Sequence, residues 1–418
     1  MKILLSAYAC EPHKGSEPAV GWNWARSLVR QGHDVHVITR SNNRSSVQAA
    51  IEREQLSLTP SYYDLPEWCR RWKRWPGGLY FYYLLWQVGA YGRARGLHAA
   101  HGFDRVHHVT FASFRLPSLM GALGIPFTFG PVGGGETTPP RLRAGLPARA
   151  RLLELVRNLV NRIAALDPAM NFTWSHATTI ACTTPETLAR IPRRFRHKCL
   201  VQPTIGVEAV ENTDTAKSGG RRTAHQRPSA SFLFVGRLLY WKGLHLALRA
   251  LAEVRRQVPE VRLRVIGEGD DQQWLIKVAD GAGVAECVDW IPWMPREEVL
   301  GEYRNNTAFV FPSLHDSGGL VVLEALADGL PVICLKLGGP GILVNGSCGI
   351  VIEAAARSED EVVASLASAM IRIAKEPAFT AELACQAVAR AAEFSWDNVV
   401  RRLYAGVEHV TATTGQML

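Results

Sequence analysis

The chain runs through one rhythm twice: a short apolar run, a polar turn, then apolar residues at helical spacing. Lys2-Ile3-Leu4-Leu5-Ser6 is the first run, and loop residues follow from Cys10 to Pro18. Val20, Trp22, Trp24, Ala25, Leu28 and Val29 then recur at helical spacing, and Gly32-His33-Asp34 turns the chain into Val35-His36-Val37-Ile38. That order predicts a βαβ unit. Residues 106–110, 127–129 and 178–181 read as further strands of the same sheet. From about Val210 to Ser231 the composition turns polar and reads as a linker. The rhythm restarts with a strand at 232–235, a helix at 244–257 and strands at 263–266, 288–291, 308–311 and 332–334. Short buried strands alternating with helices predict an α/β chain of two doubly wound parallel-sheet domains facing each other across a cleft. The expected boundaries are 1–208, a linker at 209–230, a second domain at 231–390, and a last stretch, 391–418, whose helix packs back on the first domain.

Hydrophobic residues make up 47% of the 418, enough for full cores, so disorder and a disulfide-stapled miniprotein are set aside. The eight cysteines show no CxxC spacing and no Cys/His cluster suggestive of zinc, so they read as reduced thiols in a cytoplasmic protein. The 18 residues between Arg74 and Arg93 carry no charge, but Pro76, Gly77, Gly78, Gln87, Gly89 and Gly92 break them too often for a spanning helix. The opening apolar run is too short for a secretory signal and reads as a buried strand.

The chemistry-bearing residues are expected in loops after strands, because ligands of open parallel sheets bind outside the strands' carboxyl ends. Gly236-Arg237-Leu238-Leu239-Tyr240-Trp241-Lys242-Gly243 follows one strand. A glycine lets backbone amides approach an anion, Arg offers a planar fork and Lys a point charge. The pattern suits a diphosphate; the plainer reading is two solvated cations. Pro312 ends another strand and leads through His315, Asp316, Ser317, Gly318, Gly319 and Leu320 into an apolar helix. Amides and the helix dipole there favour an anion or sugar hydroxyls. Asp316 reads either as a ligand or as a helix cap. Glu324 sits in the apolar run Leu323-Glu324-Ala325-Leu326-Ala327, where a carboxylate needs a partner, and ligand hydroxyls would serve.

Arg237 with Lys242, Asp316 with Glu324 eight residues on, and Gly329-Leu330-Pro331-Val332-Ile333 together closely resemble glycosyltransferase family 4. The blocks at 15–22 and 130–136 look like one branch of it. The resemblance implies a retaining, nucleotide-sugar-dependent transferase with two Rossmann-like domains, the GT-B fold. Carried over by position, it implies that Arg237 and Lys242 hold the donor diphosphate and that Glu324 binds the ribose. Asp316 stands where the family usually has a glutamate that contacts the donor sugar, a departure of one methylene. Ser317, Gly318, Gly319 and Leu320 match a turn whose amides meet sugar and phosphate. Gly236, Glu268 and Ile291 fall on the nucleotide side. Gly15, Ser16 and Glu17 match a loop closing over donor phosphate and acceptor.

His107 and His108 end a strand; one is expected to face the cleft, and His108 is the candidate, a packing histidine being the plainer reading. Glu136, after three glycines, is a further candidate for the acceptor side. Cations at the leaving diphosphate lower the barrier as negative charge builds there. They can replace a metal ion, and no Asp-x-Asp motif is present, so no metal or other cofactor is expected. No nucleophile for a double displacement stands out. The resemblance implies same-face substitution, with the leaving phosphate helping to deprotonate the acceptor hydroxyl.

Residues 1–200 hold 26 Lys and Arg against 12 Asp and Glu, whereas residues 201–418 hold 21 against 26, so the basic surface belongs to the first half. Trp68 to Trp86 interleaves cations with aromatics, and Arg141 to Leu166 sets six arginines among Leu, Val and Ile. Such stretches suit an anionic membrane interface. Nucleic acid is the rival partner, without a supporting motif, and a solvated basic face the plain alternative. The expectation is a peripheral enzyme on the inner face of the membrane, using a nucleotide-sugar donor and a lipid-linked or cell-surface glycan acceptor. A nucleotide-sugar epimerase of the same fold and a non-catalytic binding protein are the alternatives.

Overall fold

A computed structural model describes residues 1–75, 77–208 and 230–415. The segment read as a linker, 209–230, lies outside the described residues except for Ala230. The chain forms two compact units. One comprises residues 1–135, 159–204 and 396–418, the other 136–158 and 205–395. Two things therefore cross the sequence midpoint. Residues 136–158, read as part of the first domain, count with the second unit, and the last helix, Trp396–Gly415, counts with the first.

The first unit holds β1 (Lys2–Ser6), β2 (Asp34–Thr39), β3 (Leu58–Tyr62), β4 (Arg105–His108), β5 (Phe127–Val132), β6 (Thr179–Cys182) and β7 (Cys199–Val201). They form one parallel sheet in the order β3-β2-β1-β4-β5-β6-β7. Ile3, Leu4 and Leu5 on successive positions of β1 are all fully buried, as expected for a strand covered on both faces. The helix Ser16–Arg30 covers the sheet through Val20, Trp24, Ala25 and Leu28. Its Ser27 hydroxyl donates to Asp397 Oδ1 at 2.6 Å, tying the last helix to it.

The second unit holds β8 (Ser231–Val235), β9 (Arg262–Ile266), β10 (Val288–Ile291), β11 (Ala308–Phe311), β12 (Val332–Leu335) and β13 (Gly349–Ile352). They are parallel, in the order β10-β9-β8-β11-β12-β13. The helix Leu244–Gln257 runs where the periodicity puts it and buries Leu244, Leu248, Leu251 and Val254. Each such side chain contributes about 1.5–3 kcal/mol by leaving water.

Three strands escape the sequence pattern: β3, β7 and β13. All three lie at sheet edges. β3 carries Pro60, which an edge strand tolerates because one side of it needs no ladder donor. β7 is three residues long, too short for a period to register.

Residues 68–86 differ from the membrane-facing reading. Cys69, Tyr82, Tyr83 and Trp86 are in the core, the last three on the inner side of the helix Gly78–His101. Trp68, Trp75, Tyr80 and Phe81 are exposed. The aromatics of this stretch thus divide by helical phase, and only part of them faces solvent.

Candidate active site

β8 and β11 are neighbours at the point where the strand order of the second sheet reverses. The helices leaving two such strands depart to opposite faces and open a crevice at the carboxyl ends. The loop after β8 brings Gly236, Arg237 and Lys242 there, and the loop after β11 brings Asp316 to Leu320. The loops are fastened to each other. Leu314 N donates to Trp241 O at 2.8 Å, and Ser313 Oγ donates to the same carbonyl at 3.1 Å. Gly243 makes this approach feasible. It has φ 72°, and a Cβ on it would lie 1.9 Å from Pro312 O.

Lys242 Nζ meets Asp316 Oδ2 at 2.5 Å, with both side chains largely buried. Arg237 is exposed, and among the described residues no partner holds its guanidinium. The helix Leu320–Ala327 begins after Gly319, whose φ is 83°, and no side chain caps it. Asp316 does not serve as that cap. Its Oδ1 accepts from Gly318 N at 3.1 Å, which shapes the turn and leaves the first helical amides open to an anion.

Backbone bonds bring Gly236, Glu268 and Ile291 to the same end of the sheet. Gly236 N donates to Ile266 O and Gly267 N to Ile291 O, both at 3.0 Å, while Leu238 N donates to Glu268 O at 2.9 Å. Glu268 is exposed, and its carboxylate accepts from Trp293 N at 3.4 Å.

The buried carboxylate of Glu324 already has partners in the protein. Arg296 donates to Oε1 through Nε at 2.9 Å and through its terminal nitrogen at 2.8 Å, and Tyr303 OH donates to Oε2 at 3.4 Å. A ligand hydroxyl is therefore not required to satisfy it, contrary to the reading from the apolar run alone. The guanidinium is mostly exposed, so it can move when a ligand arrives.

The segment 136–158 supplies two acids to these loops. Glu136, buried, accepts from Ser317 Oγ at 2.6 Å through Oε2, and its carbonyl accepts from Arg157 Nε at 3.1 Å. Glu154 is fully buried in the helix Ala148–Ala164. Its Oε1 lies 3.0 Å from the donating Tyr240 OH and 2.9 Å from His315 Nε2, and its Oε2 accepts from Thr138 N at 3.2 Å. One carboxylate thus holds the loops after β8 and β11, at Tyr240, two residues before Lys242, and at His315, next to Asp316. His315 also stacks on Trp241, with centroids 5.7 Å apart and planes 13° from parallel. Burial pushes the Glu154 carboxyl up, but the bonds from His315, Tyr240 and Thr138 outweigh it and bring it down to about 2. Burial pushes His315 down despite the neighbouring carboxylate. Sequence reasoning missed Glu154, Tyr240, His315 and Arg296. The available signal was Glu154 itself, the lone acid in an otherwise basic and apolar helix.

In the first unit the strand order reverses between β1 and β4. Gly15 is exposed ahead of the helix Ser16–Arg30, and the side chain of Ser16 lies outside the described residues. Glu17 Oε2 accepts from Phe111 N at 3.0 Å, and burial raises its carboxyl above the usual range. Phe111 has φ 57°, an uncommon conformation for a bulky residue and one that marks strain beside the β1/β4 crevice. His107 and His108 are both fully buried, so neither faces an open cleft as expected, and the plainer reading of packing histidines fits both. His107 bridges Tyr404 OH at 3.0 Å and Gly130 O at 2.7 Å. His108 Nε2 lies 2.9 Å from Tyr83 OH, and burial lowers its imidazole to about 4, so it is neutral near pH 7. Glu136 and Glu17 fall in different units, so the two acids read together for the acceptor are built separately.

Among the described residues no group of three or more His, Cys, Asp or Glu is arranged to hold a metal, and no helix is long and apolar enough to cross a membrane.

Residues 221–378 match the family model described as glycosyl transferases group 1. Among curated proteins the chain is similar to a glycogen synthase of Mycobacterium tuberculosis, 37% identical over 177 residues, which is 41% of this chain and 40% of that protein. It is also similar to a D-inositol 3-phosphate glycosyltransferase of Frankia alni, 34% identical over 220 residues, 50% of this chain and 52% of that protein. The chain thus matches about half or less of the length of these relatives. Among solved structures, a sucrose-phosphate synthase from Thermosynechococcus elongatus superposes with a TM-score of 0.60 over 99% of both chains at 17% identity. Anabaena HepE in complex with UDP and glucose superposes with a TM-score of 0.57, over 98% of this chain and 99% of that one, at 15% identity. These likenesses establish the fold, the two-domain GT-B architecture.

Proposed function

From the match of residues 221–378 to the glycosyl transferases group 1 model, we propose that the protein is a retaining glycosyltransferase. It moves a sugar from a nucleoside-diphosphate donor to a hydroxyl of a lipid-linked or cell-surface glycan acceptor. The observation that carries this reading is the meeting of the Lys242 and Asp316 loops at the sheet's reversal point, beside an uncapped helix N-terminus. That arrangement suits an anion joined to a polyhydroxyl group.

In this reading Arg237, Lys242 and the amides of the 317–320 turn meet the diphosphate. As the bond from the anomeric carbon to the phosphate oxygen breaks, charge grows on groups already facing cations. These supply the stabilisation that a divalent ion gives other transferases. The acceptor oxygen bonds the anomeric carbon on the face the phosphate leaves, and its proton passes to the departing phosphate oxygen. Asp316, held by Lys242, meets the transferred sugar, and Glu324 meets the ribose when Arg296 yields. Glu268 and Ile291 line the nucleoside side. In the first unit Gly15, Ser16 and Glu17 serve the acceptor. The protein works at the inner, anionic face of a membrane.

Incubation with a panel of UDP-, GDP-, ADP- and dTDP-sugars tests the reading. Release of free nucleoside diphosphate supports transfer. A new sugar isomer without release would mean an epimerase, which finds no support in the relatives reported above. Binding without turnover of any donor would mean a non-catalytic protein.

A further inference from the structure

The helix Ala148–Ala164 is built inside out. Its buried positions include Glu154 and Asn161, while Leu152, Leu155, Val156, Leu159, Val160 and Ile163 face solvent. Leu152 and Leu155 are each 61% exposed and Leu159 57%, so these are not chance slivers of a packed face. At about 100° per residue the six cover an arc of roughly 140° opposite Glu154. Scattered apolar residues on a surface are ordinary, but one continuous apolar helix face is not.

Glu154 explains why the helix cannot simply turn its leucines inward. Rotation would break its bonds to Tyr240, His315 and Thr138 and release both phosphate-side loops. The apolar face is therefore left for something outside the chain. Its charge says what. Arg149, Arg151 and Arg162 are exposed on the same helix, and Glu154, its only acid, is buried. Every exposed ionised group on the helix is thus a cation. A second copy docking by this face would set arginines against arginines. An anionic bilayer suits both features: aliphatic side chains enter the acyl boundary and guanidinium groups reach phosphate.

We propose that the Ala148–Ala164 helix lies in the surface of an anionic bilayer, apolar face inward to the lipid and arginines at the headgroups. This rests on the membrane-face reading above and names the surface responsible.

The test is co-sedimentation with phosphatidylcholine vesicles, with and without an equal share of phosphatidylglycerol. It compares the whole protein with Leu152→Gln/Leu155→Gln/Leu159→Gln and with Arg149→Ala/Arg151→Ala/Arg162→Ala. All six side chains are exposed, and circular dichroism checks that both variants melt as wild type does. The expected result is wild-type binding to anionic vesicles that weakens with salt. The leucine variant should fall about tenfold or more, and the arginine variant should lose its preference for anionic over neutral lipid. If wild type binds and both variants bind equally well, this helix is not the docking surface, although the membrane reading stands. If wild type binds neither vesicle, both fall. If the leucine variant instead converts a dimer to a monomer, with vesicle binding unchanged, the face belongs to a second copy.

Discussion

Lys242 and Asp316, 74 residues apart in sequence, meet at 2.5 Å where the loops of β8 and β11 converge. Each was singled out from sequence for a different part of the donor. In the folded protein they are one pair: the cation positions the carboxylate, and the carboxylate partly neutralises the cation.

The first prediction follows from that pairing. Lys242→Ala and Asp316→Asn should each lower kcat by roughly 100-fold, about 3 kcal/mol. The double variant should lose far less than the product of the two, because residues acting as a unit are non-additive. Steady-state kinetics on the four proteins measures this. Full additivity would mean that the pair does not act together on the donor.

Arg237 stands apart, exposed and unpaired among the described residues. In the proposed reading its charge meets the leaving phosphate, so Arg237→Ala should lower kcat by about 100-fold with unchanged thermal stability. Turnover should persist in EDTA. Activity abolished by the chelator and restored by magnesium would overturn the role given to the two cations.

Glu324 contacts a part of the donor that is unchanged between ground and transition states, in the reading above. Glu324→Gln should therefore raise donor KM about tenfold with a smaller loss of kcat. Arg296→Ala should make the opposite contrast: removing the partner of a buried carboxylate destabilises the fold. A lowered melting temperature with little change in KM is the expected outcome, read by calorimetry and initial rates.

Glu154 makes stability depend on pH. Its folded carboxyl titrates at about 2, below the ordinary value of 4.5. A depressed acid contributes stability above its unfolded pKa and loses it as pH falls through the folded one. The gap corresponds to roughly 3 kcal/mol as an upper figure. Glu154→Gln should be destabilised by up to about that amount at pH 7, and the difference from wild type should shrink between about pH 4.5 and 2. Urea unfolding across that range measures it. A constant difference would mean that the carboxylate charge contributes nothing. At neutral pH the same variant should lose donor turnover, since both loops hang on it, whereas an exposed neighbour such as Leu155→Gln should not.

The sequence by itself determined the local events. Strands such as Phe232-Leu233-Phe234-Val235 and the helix Leu244–Gln257 were legible because burial on both faces, or on one helical stripe, leaves a period in the chain. Gly236, Gly243 and Gly319 marked the turns for the same reason: a backbone conformation demands a residue type. The loops after β8 and β11 could therefore be located along the chain with no knowledge of their neighbours.

Only the tertiary structure decided which groups satisfy one another. Glu324 reads as a carboxylate in want of a ligand until Arg296 arrives from 28 residues away. Nothing local singles out Glu154 for burial, and only Tyr240 and His315, 86 and 161 residues on, draw it into the interior. Period alone says that a helix has two faces. It does not say which one the protein keeps, because a buried carboxylate with three hydrogen bonds can outweigh an apolar stripe, and those bonds come from residues that share no local pattern with it.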